Sequence, residues 1–310
     1  MGTNLISELL DRGFKVRALI RSAQVPFKHA NLEWIQGELD NIPSLKILVN
    51  HCFSLIHCAS KISVGEFDHD TVYKVNVIGT QNLIQACLNS NIRFVYISSS
   101  TAVTEPSKGE VFNEDRPLRA NKIFYYAWTK AEAEKYVFEQ VEKKLLDAFI
   151  IRPTAIIGPK DLVPSRFGKT ILDMSRGKLP FITQGGYNLV DVRDLSKSIA
   201  NSIDKGKKGN AYLTGGQYMS LKELAKIASP NKPPLVLSIN LLLWMLPLIK
   251  IYDRIFKLKW PINKESLITL KNAPEFMDCS KAYNEFAHEN RPVEESVNDL
   301  ICAFNENHQT

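Results

Sequence analysis

The opening run MGTNLISELLDRGFKVRALIRS, residues 1–22, is the stretch whose reading decides the fold. Leu5, Ile6, Leu9 and Leu10 recur at helical spacing, Gly13 follows as a helix stop, and Val16 to Ile20 form an apolar run of β type. A helix leading into a buried strand is the back half of a β-α-β unit. In a doubly wound sheet, a strand and a tight glycine turn stand ahead of such a helix. The chain as written starts at the helix, and Gly2 is its first glycine.

Working outward, the first half alternates strand and helix. LEWIQGEL, the short helical run NIPSLKILVNH and the apolar FSLIHCA come next. A helix over about 70–89, the strand RFVYISSS, a helix over about 124–144 and the strand DAFIIRP follow. Continuous Val, Ile, Leu and Phe runs mark strands buried on both faces, and their alternation with helices predicts right-handed crossovers. The fold class is therefore α/β, a doubly wound parallel sheet with a smaller, interleaved C-terminal lobe. The boundary falls near residue 155: residues 1–155 form the first domain, which also uses roughly 185–205, and 156–310 form mainly the second lobe.

Composition narrows the function. With 45% hydrophobic and 23% charged residues, the 310-residue chain has an ordinary globular make-up. Its charge of +6 is spread along the sequence, and the cluster Lys205–Lys208 has no aromatic platform beside it, so nucleic acid is not an expected partner. The five cysteines form no CxxC pair and no zinc spacing, so no metal is expected. Their odd number, with no signal peptide in the sequence, points to the cytoplasm. The longest apolar stretch, residues 235–249, is broken by Asn240 and Pro247 and is shorter than the ~20 residues a membrane span needs.

Three features carry the chemistry. RFVYISSSTAV ends a strand in the hydroxyls of Ser98, Ser99, Ser100 and Thr101, at the sheet edge where ligands bind in open parallel sheets. YYAWTK puts Tyr126 and Lys130 four apart on one face of the next helix. IIRPTAIIGP ends a further strand at Arg152 and Pro153, near the same crevice. A phenol titrates near ~10, and an ammonium one turn away favours the phenolate. A serine hydroxyl opposite would orient a carbonyl and stabilise its oxyanion character. This set serves hydride transfer to or from a carbonyl, with tyrosine as general acid or base. A bare YxxxK is common by chance; the serine-rich and Arg-Pro strand ends on either side give it weight.

These stretches, with VRALIRS, LIHCAS, VNVIGTQNLIQAC and NLVDVRDLSKSI, resemble the extended short-chain dehydrogenase/reductases, the NAD-dependent epimerase/dehydratase group. The resemblance implies a Rossmann-type domain, a nicotinamide cofactor, and catalytic Ser100, Tyr126 and Lys130, with Ser99 as fallback for Ser100. Tyr125 is an unlikely substitute for Tyr126, because only Tyr126 has the right spacing to Lys130. Gly2 matches the third glycine of the GxxGxxG turn, the one that packs helix against strand. The resemblance thus implies that the first strand and first two glycines are missing, that Met1 is an internal methionine of a truncated gene model or fragment, and that the sheet is left with a gap.

The cofactor contacts follow from the same resemblance. Arg21 ends the second strand of the family fold, where an arginine accommodates a 2′-phosphate, so NADP is favoured and NAD possible. Glu38 and Leu39 stand where the family has GDL beside the adenine. His57, Ala59 and Ser60 line the cofactor, Asn76 braces the active site, and Arg152, Pro153 and Thr154 sit beside Tyr126 and Lys130 at the nicotinamide end. TKAEAEKYV and NLVDVRDL are closest to dihydroflavonol-4-reductase-like members. An apolar carbonyl substrate is expected, with residues 239–251 as a possible cover for it or as a plain core helix. A nucleotide-sugar epimerase and a catalytically inactive binding protein are the alternatives. A homodimer through the helices at 70–89 and 124–144 is plausible.

Overall fold

The computed structural model describes residues 1–62, 68–88, 91–107, 110–160, 165–256 and 264–306. Helix α1 (Gly2–Asp11) leads into β1 (Val16–Ile20), followed by β2 (Leu32–Gln36), α2 (Ile42–Val49) and β3 (Ser54–His57). A helical segment then runs through α3 (His69–Tyr73), a π turn (Lys74–Ile78) and α4 (Gly79–Cys87). The sequence predicts one uniform helix here. The π turn differs from that, and such wide turns often mark functional positions. Strand β4 (Arg93–Ile97), α5 (Tyr125–Glu142) and β5 (Asp147–Pro153) complete the first half.

The expected parallel sheet is present in two pieces. One has four parallel strands in the order β3-β4-β5-β9, where β9 spans Ala211–Thr214. The other is the parallel pair β1-β2. Among the described residues no ladder joins β1 to β3. Helix α1 bridges the two pieces: Leu5 and Leu9 pack in one cluster with Val16 on one side and Ile56, Val95 and Ile97 on the other. The opposite face carries Leu45, Leu83, Ile84, Phe94, Tyr96 and Val137.

The second half begins with β6 (Ala155–Ile157), α6 (Arg166–Ser175), β7 (Phe181–Thr183), β8 (Gly186–Asp191) and α7 (Val192–Lys205). After β9 come β10 (Gln217–Ser220), α8 (Leu221–Ala228), β11 (Leu235–Leu237), α9 (Ile239–Phe256), α10 (Lys264–Lys271), α11 (Ser280–Phe286) and α12 (Val293–Glu306). Strands β10-β8-β6 make a small sheet, and α6, α8, α9, α10 and α12 close over it around Ile171, Leu224, Leu242 and Val297. Helix α7 packs into the first core through Leu195, Ile199 and Ile203. So do β9 and α11, through Tyr212, Ala282 and Phe286. The lobes therefore interleave more than the sequence reading has it, because β9 lies beyond residue 205 yet completes the edge of the main sheet. Arg291 ties the C-terminal segment to α7 through Asp194, at 2.8 Å.

Candidate active site

Strand β4 stops at Ile97, and Ser99 caps a 3₁₀ turn over Ser100–Ala102 by accepting from the Thr101 amide. Tyr126 opens α5 half-buried, and its phenol interacts with the hydroxyls of Ser60 and Ser99. The structure thus pairs Tyr126 with Ser99 rather than Ser100. The extended backbone at Ser99 turns that side chain to the phenol before the chain winds into the 3₁₀ turn. Tyr125 stacks instead on His69, with ring centroids 3.9 Å apart, away from these hydroxyls.

Lys130 lies one turn beyond Tyr126 and is 1% exposed. Its Nζ donates to the Ile97 carbonyl at 2.7 Å and rests 4.3 Å from the Tyr96 ring centre. Burial pulls this ammonium down to about 7, against the opposing pull of the Glu134 carboxylate. The phenol of Tyr126 is raised by burial, opposed by its bonds to Ser60 and Ser99. The sequence argument expects a lowered phenol. In this structure desolvation exceeds any help from Lys130, whose own charge is costly where it stands.

Asn76 lies in the π turn. Its Oδ1 accepts from the Lys61 amide at 2.7 Å, and its Nδ2 donates to the Lys61 carbonyl and to Thr129 Oγ1. Thr129 in turn donates to the Tyr126 carbonyl at 2.7 Å. One asparagine therefore holds both the loop carrying Ser60 and the first turn of α5. Thr129 is a positioning residue that spacing alone does not single out, although it lies inside the YYAWTK motif.

Two side chains expected at the cofactor serve the fold. Arg152 makes a bidentate pair with Glu134, its closest contact 2.7 Å, while Nη1 donates to the Glu114 carbonyl; Arg152 and Glu134 are both buried. A guanidinium spent this way is an internal brace, so its assignment as a cofactor contact gives way to a structural one. His57 is 3% exposed, shares a 3.0 Å hydrogen bond with Thr80 Oγ1 and is held at about 3 by burial, so it stays neutral. Its imidazole packs against Tyr96, with ring centroids 5.7 Å apart.

Gly2 starts α1, but a Cβ there would meet only Cys58 Sγ at 3.8 Å, which is ordinary contact. The tight packing of helix on strand that a third glycine serves is therefore not what this position does here. Gly37 leaves no room for a side chain, since a Cβ would lie 2.2 Å from Ser44 Oγ and 2.4 Å from Ser44 Cβ; at Gly79 a Cβ would lie 2.7 Å from Leu39 Cδ1, which would have to shift. Leu39 thus faces α4, and its carbonyl accepts from Asn82 at 2.8 Å.

At the carboxyl ends of β1 and β2 lies an open depression of about 480 Å³, lined by Arg21, Gln36, Gly37, Glu38, Asp40 and Asn41. No ion pair engages Arg21 among the described residues, whereas Arg17 is tied to Glu33 and to the Asn50 carbonyl. Of the two arginines near this strand, Arg21 alone lines the depression. Near the other end of the site, the hydroxyls of Ser98 and Thr154 are buried with no partner. A crevice with hydroxyls and a buried lysine at one end and an arginine-edged hollow at the other fits a dinucleotide. Tyr126, Lys130 and Thr154 would face its nicotinamide half, and Arg21 and Glu38 its adenosine half. Among the described residues no group of three or more His, Cys, Asp and Glu could hold a metal ion, and no helix is long and apolar enough to cross a membrane.

Residues 1–215 match the NAD dependent epimerase/dehydratase family, and the chain belongs to it. A Synechocystis sp. protein whose name places it among the dihydroflavonol 4-reductases is 31% identical over 230 residues. That match covers 72% of this chain and 66% of the relative. Sterol demethylase protein B of Methylococcus capsulatus is 28% identical over 317 residues, covering 99% of this chain and 95% of the relative. The crystal structure of gox2253 superimposes with a TM-score of 0.86 at 27% identity, covering 100% of this chain and 96% of that one.

Proposed function

We propose that the chain reduces the carbonyl of an apolar compound with a nicotinamide cofactor, NADPH in preference to NADH. A bound reduced nicotinamide supplies the hydride that adds to the carbonyl carbon. The remaining work belongs to the chain. Ser99 donates to the substrate carbonyl oxygen and orients it, and Tyr126 Oη gives that oxygen its proton. Lys130 holds the cofactor ribose and lends positive charge as the phenolate forms. Asn76 and Thr129 keep the phenol in register.

The observation that carries this reading is the phenol of Tyr126 set against the hydroxyls of Ser60 and Ser99, with the buried Lys130 one turn beyond. The preference for NADPH rests on Arg21 in the adenosine hollow. The apolar substrate class rests on the names of the Synechocystis and Methylococcus relatives. The test is NADPH consumption with a panel of ring ketones and aldehydes. Wild type should turn over at least one of them, and Tyr126→Phe should lose a factor of about 10²–10⁴. Unchanged turnover in that variant would overturn the mechanism, and NAD retained through purification would favour an epimerase.

A further inference from the structure

We propose that Arg119 is a positioning residue, clamping the turn that presents Ser99 to the start of the helix that presents Tyr126. Ser99 leaves β4 into the 3₁₀ turn Ser100–Ala102. Its hydroxyl accepts from the Thr101 amide and shares a 2.9 Å hydrogen bond with Thr101 Oγ1. The direction of that hydroxyl therefore depends on where Thr101 sits. Carbonyls at the end of a helical turn have no partner within it. Arg119, buried on the loop that leads to α5, takes three in succession. Its amide donates to the Ala102 carbonyl at 2.8 Å, Nε to the Thr101 carbonyl at 3.1 Å and Nη2 to the Val103 carbonyl at 3.3 Å.

The face of the same guanidinium lies over the Phe124 ring, 4.6 Å from its centre. Phe124 is the N-cap of α5, and its carbonyl accepts from the Trp128 amide at 2.9 Å. The ring is thus fixed to the first turn of that helix, the turn that carries Tyr126. Glu105, 2.6 Å from Nη2, supplies the counter-charge, so the buried cation is paired. A planar fork reaches two carbonyls and an aromatic face at once, which an ammonium does not. Arg119 thereby sets the spacing between the Ser99 hydroxyl and the Tyr126 phenol. Its effect on rate rests on the reductase reading, whereas the clamp is a property of the fold.

The test compares Arg119→Met with Arg119→Lys, which keeps a charge beside Glu105 without the fork. In Arg119→Met, hydrogen exchange read by NMR should speed at least about tenfold at the Thr101, Ala102 and Thr104 amides, with β4 and β5 unchanged. On a carbonyl compound that the wild type reduces, kcat should fall by about 10²-fold. KM should change little, as when an interaction is lost from the transition state alone. Arg119→Lys should show both effects, smaller. In a Ser99→Ala background, Arg119→Met should cost almost nothing further, because the group it positions is gone. A merely destabilising change would cost the same in both backgrounds. Unchanged exchange at the turn, or kinetic losses that add, would overturn the proposal. Faster exchange there in a chain that reduces no carbonyl would remove the reductase reading and uphold the clamp.

Discussion

Strands β4 and β5 are buried almost from end to end, whereas β1 is half-buried throughout and β2 has one fully buried residue. The first pair belongs to a four-stranded sheet and ends beside Ser99 and Thr154, with Lys130 Nζ on the Ile97 carbonyl; the second stands as a two-stranded piece and ends at Arg21 and Glu38. The chemical half of the site is thus built into the densest part of the molecule. The adenosine half is held to it by α1 and by packing of α2 against α4. A bound dinucleotide would span both, so its affinity reports how well the weaker piece is aligned with the stronger.

Hydrogen exchange should make the largest separation. Amides of β4 and β5 should exchange only on global opening, those of β1 and β2 orders of magnitude sooner through local opening. NADPH should narrow the difference, and equal protection in the free chain would break the comparison. The second effect is on the strong side alone. Glu134→Gln strips the buried Arg152 of its charge partner and should cost about 3–5 kcal/mol of unfolding free energy, read from the denaturant midpoint.

A third effect is the pH response of Lys130. Its folded-state value of about 7 lies below the ordinary lysine 10.5. The penalty for burying its charge is therefore full below pH 7 and is relieved as pH rises from there toward 10.5. Wild-type stability should gain over that window, and Lys130→Met should flatten the rise. Removing the Glu134 carboxylate should move Lys130 lower still, a shift readable by side-chain NMR.

The strong half was also the more legible. Its strands read as unbroken apolar runs because both faces are buried, and Tyr126 and Lys130 announce themselves by a spacing local to one helix. What escaped depends on contacts distant in the chain. That the Tyr126 phenol meets Ser99 depends on how the backbone leaves β4, which no spacing encodes. Arg152 reads as a crevice residue until Glu134, 18 residues away, is seen to claim it. The π turn at Asn76 interrupts a run whose apolar periodicity continues straight through. The small lobe was the least legible, since β9 and α11 are drawn back to the first core by tertiary packing rather than by any local signal.

The most direct test of the account is a titration of NADPH into the purified chain, followed by nicotinamide fluorescence, with NADH and Arg21→Ala in parallel. The account predicts saturable NADPH binding that is tighter than NADH binding, with the preference lost in Arg21→Ala. No saturable binding of either cofactor would contradict it.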